Sequence, residues 1–498
     1  MRLWIKWCML ALTLNMTITF NANARVLVAS GTLPVLHIDT SGGKAITSKD
    51  NYIAASMYVE IPAGAIENVG SDAALWAMGS ADDPVQMKIR GRGNWTWTGF
   101  EKKPYKVKFS TPLSLLGMGE NRHWALLSHP EDGTGFLRNA LAFEMGRMIG
   151  LPFTPHQQPA ELVLNGEYMG VYVVTETVRV DNNRVEIDAQ EDGEADPEKV
   201  KSGWLVEVDN YEDYNQISFD VSGLPLDEFR ITWHTPEILS SVQYNYLFDQ
   251  FTDILNAVYV DDKTSQLWEE YIDIDMLARY YVVAEIIDHV EFFFGSTFLY
   301  KASADGKWMT GPLWDIGHGL NGWHDKNKFI YEGLSWGNNL LTELCKFPRF
   351  QQRAQQLYAW FMREHYEDVE QFVDDYCTMM NDSYHANYLR WNYYGDISGS
   401  QYAATAKETL RQKIAFLDKV WGRETGVNDN LNDNVNGNLS AVYDLQGRIL
   451  DGRLRGGERS EGRGLRIKDE SNNLSSLIPH PSSRKGIYIV NGKKIMIR

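Results

Sequence analysis

Lys106 and Lys108 have the chemistry and the spacing to bind an anion such as a phosphate. They alternate with apolar residues in the segment 103–109, which predicts a β-strand with both ammonium groups on one face. Arg92 stands upstream in a Gly-Arg-Gly turn and adds a guanidinium, a group well suited to phosphate oxygens. Lysines of exposed strands can also be solvated edge residues, so the residue pattern leaves both interpretations open.

Glu144 is an acidic residue in an unexpected predicted environment. The spacing of apolar residues predicts a helix over 137–149, and Glu144 falls within its apolar stripe rather than opposite it. Because an unpaired buried carboxylate is costly, we expect a basic partner from a neighbouring strand. Such a pair is either part of a ligand site or a purely structural ion pair.

Asp288 and Asp315 are both expected where regular structure ends. The helix predicted over 275–287 continues its apolar face into Asp288, which places an inward-facing acid at the helix end. A hairpin predicted over 297–314, with an Asp-Gly turn, returns the chain so that Asp315 follows its second strand. Two acids close together suit a hard cation such as Mg²⁺. For Asp288 the alternative is a helix-end acid satisfied by nearby amides.

The order of these features along the chain is itself informative. A strand lysine, a helix glutamate, an inward acid and a second acid follow one another as they do in protein kinases. The sequence contains no glycine-rich kinase loop, no HRD or DFG motif and no Walker A motif. It therefore excludes an ordinary protein kinase and a P-loop enzyme, while leaving phosphoryl transfer as a hypothesis.

Composition excludes several other classes of protein. The 498 residues include 66 Asp and Glu against 48 Lys and Arg, a formal net charge of −18 that argues against non-specific nucleic-acid binding. Three cysteines without CxxC spacing indicate neither a disulfide scaffold nor a zinc site. Residues 1–24 read as a signal peptide, and no later segment is long and apolar enough to span a membrane. The expected location is secreted, periplasmic or on the cell surface.

Several motifs, in order, resemble the spore coat protein H (CotH) kinase family over about residues 80–420. Members of this family are similar to secreted or spore-associated atypical protein kinases, which use ATP and a divalent metal to phosphorylate Ser or Thr of a protein acceptor. The end of the chain, 485–498, resembles C-terminal segments of exported proteins from Bacteroidetes-type bacteria. The family resemblance rests on these segments: Ile89–Trp97, Lys102–Lys108, Ser114–Met118, Leu137–Glu144, Leu164–Tyr172 and Gly311–Asp315.

The resemblance implies a role for each candidate residue. Lys106 would hold the ATP phosphates and pair with Glu144, with Lys108 as the competing choice for that lysine. Asp288 would orient the acceptor hydroxyl, and Asp315 would bind Mg²⁺ or Mn²⁺. The remaining nucleotide contacts would come from Arg92, Glu176 and Val178, the last two through their backbone.

Two positions depart from the family pattern. Ser296 stands where the family carries an Asn that binds metal, and it follows Asp288 by eight residues where the kinase pair is spaced by about five. Gly317 replaces a second acid after Asp315. These losses motivate a rival hypothesis, a non-catalytic surface or secreted protein that uses a kinase-like scaffold to bind glycans or proteins.

The predicted fold class is α+β, with a two-lobed atypical kinase-like body. Its N-terminal lobe is β-rich, its C-terminal lobe is mainly helical, and a small β module ends the chain. The predicted segments are a signal peptide (1–24), a β-rich extension (25–80), a kinase-like domain (81–425, with lobes at about 81–180 and 203–425), a linker (426–440) and the β module (441–498).

Overall fold

The computed structural model describes residues 28–130, 132–422, 486–490 and 493–497, and its structure is mixed α+β, as predicted. The strands are β1 (Val35–Thr40), β2 (Ile53–Glu60), β3 (Val85–Gly91), β4 (Tyr105–Leu113), β5 (Asn121–Leu127), β6 (Gln157–Leu164), β7 (Glu167–Glu176), β8 (Trp204–Val208), β9 (Gln216–Asp220), β10 (Glu228–Thr235), β11 (Thr297–Lys301), β12 (Met309–Thr310), β13 (Gly486–Val490) and β14 (Lys493–Ile497). The helices are α1 (Ala63–Val69), α2 (Trp95–Gly99), α3 (Leu137–Met148), α4 (Ser241–Val258), α5 (Ile274–Ile286), α6 (Leu340–Leu344), α7 (Pro348–Met379), α8 (Asn381–Trp391) and α9 (Gly399–Trp421).

The first seven strands form a closed barrel in the order β1-β2-β3-β4-β5-β7-β6. All neighbours are antiparallel except β1 and β6, whose parallel pairing of Leu36 with Leu162 closes the barrel. Inward-facing apolar residues such as Ile89 and Val107 fill its interior, since alternate residues of each strand face the core. The segment 25–80, predicted as an extension, thus supplies two integral barrel strands.

Turn chemistry explains the hairpin of β6 and β7. Asn165 and Gly166 form its two-residue turn, and both have positive φ, at 52° and 79°. A type I′ turn needs positive φ at both central positions and matches the twist of the flanking strands, which is why Asn-Gly is favoured there. The hairpin predicted from this dipeptide is confirmed.

A second, five-stranded antiparallel sheet has the order β12-β11-β8-β10-β9. Helix α4 covers it through aromatic contacts, including Phe248 against Phe219 at 5.3 Å and Phe251 against Trp308 at 5.0 Å between ring centroids. A capping box of Ser240 and Gln243 begins this helix. The sheet matters for the candidate site because the chain reaches Asp209 and Asp315 from two of its strands, and Ser296 precedes a third.

Helices dominate the described residues 237–422, as predicted. Helix α5 begins at Asp273, whose carboxylate accepts hydrogen bonds from the backbone N–H groups of Asp275 and Met276. Most of its residues are buried between α3, α7 and α9. Phe143 of α3 stacks on Trp314 at 6.4 Å, so this helix reaches the segment that precedes Asp315.

The last described element is the antiparallel hairpin of β13 and β14, as the Asn-Gly dipeptide predicted. The predicted signal peptide, the linker 426–440 and the third strand of the β module, 441–447, lie outside the described residues. Within the described ranges, no helix combines the length and the apolar character that crossing a membrane requires.

Candidate phosphate and cation site

Three strand ends meet at one edge of the five-stranded sheet, and two of them lead into acidic residues. Val208 pairs with Thr297, so Asp209, just after β8, lies opposite Ser296, just before β11. The chain leaves β12 at this same edge and reaches Asp315. Sequence reasoning placed Asp315 and Ser296 in one site, and the sheet register brings their strand ends together. Asp209 was not predicted.

Asp209 reveals how crowded the negative charge is at this edge. Burial raises the pKa of its carboxyl to about 7, and the nearby carboxylates of Glu207 and Asp315 act in the same direction. The Nε2 of His234 lies 2.7 Å from Oε2 of Glu207. A divalent cation is the ligand that would relieve this repulsion.

The raised pKa of Asp209 predicts that removing the charge of this carboxyl stabilises the protein at high pH. The stability associated with the protonated carboxyl is present below its unfolded pKa of about 4 and is lost as pH rises through about 7. Asp209→Asn should therefore raise the melting temperature at pH 8, with little effect at pH 4. Asp220→Asn, at an exposed acid of β9, is the control. An equal rise in melting temperature at both pH values, or in both variants, would refute the repulsion among these carboxylates.

Arg92 connects the barrel to this acidic edge. Burial lowers the pKa of its guanidinium, while Asp315 and Glu207 oppose that shift because both attract the cation. The guanidinium also lies over the ring of Trp314, 5.7 Å from its centroid. The Gly-Arg-Gly turn thus places Arg92 beside Asp315.

A cluster of cations lies next to Arg92 on the barrel. Burial, together with the charges of Arg90, Arg92, Arg179 and Lys108, lowers the pKa of Lys106 to about 8. In the described part of the chain, the ammonium of Lys106 forms no ion pair. Lys108 is exposed, which makes Lys106 the better of the two candidate lysines.

Buried side-chain nitrogens without hydrogen-bond partners also indicate that this cluster is suited to bind an anion. Burial is the main cause that lowers the pKa of His123 to about 3, and the charges of Arg179, Lys106 and Lys108 act in the same direction. The Nδ1 of His123 and the Nε of Arg90 are buried and have no hydrogen-bond partner among the described residues. Phosphate oxygens would neutralise these charges and accept such bonds.

The predicted ion pair between Lys106 and Glu144 is wrong. Glu144 is only half-buried and binds Arg147 of its own helix, one turn along, at 2.8 Å. The prediction failed because α3 is buried on most of its circumference, so position on the apolar stripe does not specify which neighbour a residue meets. In this structure Glu144 lies apart from the candidate site.

The predicted role of Asp288 is also contradicted by its surroundings. Asp288 is completely buried, and its two oxygens contact His324 at 2.8 Å, Lys326 at 2.6 Å and Lys413 at 3.2 Å. Because these groups occupy the carboxylate, it is not available to an acceptor hydroxyl. The inward orientation was predicted correctly, but it serves a structural ion network.

Glu176 and Val178 differ in their availability for a nucleotide base. The carboxylate of Glu176 binds Arg184 at 2.7 Å and the N–H of His156 at 2.8 Å, while its own N–H donates to the His156 carbonyl. The backbone groups of Val178 form no hydrogen bond to any described residue. Only Val178 therefore keeps the free backbone groups that the resemblance implied.

Glu291 is an acid that sequence reasoning missed. It precedes Ser296 by five residues, the spacing of the kinase Asp and Asn pair, so this signal was present in the sequence. Its side chain is partly exposed and its Oε1 lies 3.2 Å from Nε2 of His318. The negative charge of Asp315 acts on the pKa of His318, so Glu291 lies on the same side as the acidic edge.

The fold and this site define an α+β protein in which a cluster of cationic side chains, suited to bind an anion, lies beside a group of closely spaced carboxylates. The protein family described as CotH kinase protein matches residues 89–418, more than half of the chain, and the chain belongs to this family. No curated protein matches the chain.

Proposed function

We propose that this protein transfers the γ-phosphoryl group of ATP to Ser or Thr of a protein acceptor with the help of Mg²⁺ or Mn²⁺. The observation that carries the proposal is Lys106, a largely buried ammonium surrounded by four cations and paired with no carboxylate among the described residues. In this proposal, the barrel and the sheet with its helices act as the two lobes of a kinase-like fold. Membership of the CotH kinase family supports this assignment.

The carboxylates fit a divalent cation that is completed by phosphates. Among the described residues, no group of three or more His, Cys, Asp or Glu side chains is arranged to hold a metal ion. Mg²⁺ does not need such a cage, since it is usually bound by one or two carboxylates together with substrate phosphates. Asp315 and Asp209 would hold it, with the hydroxyl of Ser296 nearby. The ion would neutralise charge on the phosphates.

Side chains and backbone groups of the protein supply the remaining contacts to ATP and to the acceptor hydroxyl. Lys106 and Arg92 bind phosphate oxygens and offset their negative charge, which is the main protein contribution to phosphoryl transfer. Glu291 orients the acceptor hydroxyl and takes its proton, the role first assigned to Asp288. The free backbone groups of Val178 are available to the adenine.

Transfer of labelled phosphate from ATP is the experiment that tests this proposal. Protein incubated with labelled ATP, Mg²⁺ or Mn²⁺ and a Ser/Thr-rich acceptor should transfer label, and Asp315→Asn should lower the rate by about 10²- to 10³-fold. Asp305→Asn, at an exposed acid of the turn before β12, should transfer at the wild-type rate. Absence of transfer by the wild type, together with no nucleotide-dependent rise in melting temperature, would refute the kinase assignment.

A non-catalytic binding function is the second candidate, and exposed aromatic residues favour it. Trp323 is 52% exposed and lies edge-on to Trp336 at 6.0 Å, close to His318. Trp308 and Trp314, in contrast, are buried in the core. Retention on immobilised glycans or proteins that depends on Trp323, without any phosphoryl transfer, would support this alternative.

We also propose that the protein is exported, because residues 1–24 carry a basic start, an apolar stretch and a small-x-small cleavage pattern. The expected location is secreted, periplasmic or on the cell surface. The N-terminal sequence of protein recovered from the culture medium and cell fractions tests this proposal. A chain that keeps Met1 and stays in the cytoplasm would contradict it.

A further inference from the structure

Asp315 occupies a backbone conformation that an ordinary side chain rarely adopts. Its φ is +52°, in the left-handed region. Its neighbours Trp314 and Ile316 are buried, whereas Asp315 itself is exposed. Such a conformation persists at a non-glycine residue only when the surrounding structure fixes it. Contacts from outside the turn are therefore needed to keep the carboxylate where it is.

Two consecutive residues of α3 provide these contacts. Oδ1 of Asn139, a residue only 3% exposed, accepts a hydrogen bond from the N–H of Ile316 at 2.8 Å. The guanidinium of Arg138 donates to the carbonyl of Gly317. The Asp315–Ile316 and Gly317–His318 peptide units are thus each held by a side chain of the same helix.

Arg138 is itself held in place by the loop that precedes α3. Its Nε lies 3.5 Å from Oδ1 of Asp132, and Asp132 also accepts a hydrogen bond from the N–H of Thr134 at 2.8 Å. Asp132 and Asn139 are both buried. The contacts from α3 to the Asp315 turn therefore belong to a buried polar network rather than to mobile surface side chains.

We propose that Arg138 and Asn139 are positioning residues that set the carboxylate of Asp315 for cation binding. Since Glu144 pairs with Arg147, helix α3 has no ion pair to Lys106, and it is connected to the site through the backbone of the Asp315 turn instead. A shift of α3 would displace Asp315 directly. The inference rests on the proposed function, because it assigns a purpose to a turn that carries a proposed metal-binding acid.

The test uses pairs of variants that remove or keep each contact. Asn139→Leu has a similar size without an acceptor, whereas Asn139→Asp keeps an acceptor oxygen. Arg138→Met removes the donor to Gly317, whereas Arg138→Lys keeps a donor and provides a second pair if Asn139→Leu fails to fold. The matched control is Arg147→Met, which removes a guanidinium of the same helix that binds the Pro155 carbonyl at 3.1 Å.

Metal dependence is the diagnostic quantity. In Asn139→Leu and Arg138→Met, the Mn²⁺ concentration that gives half-maximal transfer should rise by about 10- to 100-fold, as is usual when a group that orients a metal ligand is lost. The KM for ATP at saturating Mn²⁺ should stay close to the wild-type value. Asn139→Asp, Arg138→Lys and Arg147→Met should need wild-type or nearly wild-type Mn²⁺ concentrations.

A cavity variant separates positioning from general destabilisation. Met145→Ala removes a fully buried side chain of α3 and keeps the hydrogen bonds of Asn139 and Arg138 to the turn, so it should lower the melting temperature and leave the Mn²⁺ requirement unchanged. If the Mn²⁺ requirement instead follows the melting temperature through all variants, the positioning role is refuted.

Hydrogen exchange decides the inference independently of catalysis. The amide of Ile316 should exchange faster in Asn139→Leu than in Met145→Ala, with or without ATP. If the wild type transfers no phosphate, the proposed function fails, and equal exchange in these two variants would then refute the positioning role as well. Faster exchange would show that Asn139 holds the turn even in a protein that is not a kinase.

Discussion

Lys106→Met should stabilise the ligand-free protein and abolish its response to ATP. At pH 7 the ammonium of Lys106 is charged in both the folded and the unfolded chain, but the folded protein keeps it partly buried against four other cations. Removing the charge relieves that cost, so the melting temperature of the free protein should rise. The substitution also removes the phosphate contact, so the rise that ATP and Mg²⁺ cause in the wild type should disappear.

The pH dependence of this effect follows from the direction of the pKa shift. The pKa of Lys106 is about 8 in the folded protein and about 10.4 in an unfolded chain. The folded state therefore carries the full cost of the charge below pH 8 and loses that cost as pH rises from 8 towards 10.4. The stabilising effect of Lys106→Met should be largest near pH 7 and should shrink above pH 9.

Differential scanning calorimetry with and without ATP provides the measurement. At a concentration about 100 times its Kd, ATP should stabilise the wild type by about 2.7 kcal/mol. Lys108→Met, on the same strand but exposed, should leave most of that response intact. A destabilised Lys106→Met protein that still responds to ATP like the wild type would contradict the anion site.

Asp288→Ala should lower the free energy of unfolding by about 3 to 5 kcal/mol, the usual effect of breaking a buried ion pair. The substitution leaves Lys326 and Lys413 facing each other in the core without the carboxylate between them. Lys413 keeps the carboxylate of Glu285, at 2.8 Å, and the carbonyl of Lys328, at 2.6 Å, and the side chains of Lys413 and Glu285 are fully buried. We expect loss of folded protein rather than a specific loss of catalysis.

Low pH should weaken the ion network around Asp288. Although burial alone raises the pKa of Asp288, contacts with His324, Lys413 and Lys326 lower it to about 2. The stability that Asp288 provides is fully present above its unfolded pKa of about 4, and it is lost as pH falls through about 2. The difference in stability between wild type and Asp288→Ala should therefore shrink below pH 4.

Chemical denaturation separates this structural role from the catalytic role that the sequence suggested. Asp325→Asn changes an exposed acid in the loop that also carries His324 and Lys326, so it should unfold at the wild-type denaturant concentration. An Asp288→Ala protein with wild-type stability but no phosphoryl transfer would restore Asp288 as a catalytic residue.

Local patterns predicted the secondary structure well because their causes are local. The Asn-Gly turn specifies the β6–β7 hairpin through its two positive φ angles, and the alternation around Lys106 specifies β4. The cap at Asp273 likewise starts α5 close to the predicted position. The closure of the barrel was not predictable in this way, since β1 pairs with β6 from a distant part of the chain.

The candidate site was predicted only in part, for the same physical reason. Arg92, Lys106 and Asp315 were identified from turns and strand ends, and the structure brings them together. The partners of Asp288 come from a later loop and from α9, so no local pattern indicated that cations would occupy it. The spacing between Glu291 and Ser296 also indicated Glu291. The inward helix face favoured Asp288 instead, so Glu291 was not predicted.

Calorimetric titration of ATP with Mg²⁺ into the wild type and Lys106→Met tests the central claim most directly, because it measures binding without requiring an acceptor protein. We predict saturable binding to the wild type, at least about tenfold weaker binding to Lys106→Met, and no comparable binding of adenosine, which lacks the phosphates. Equal affinity of ATP for both proteins, or no binding to the wild type, would contradict the claim that the cations around Lys106 form a phosphate site.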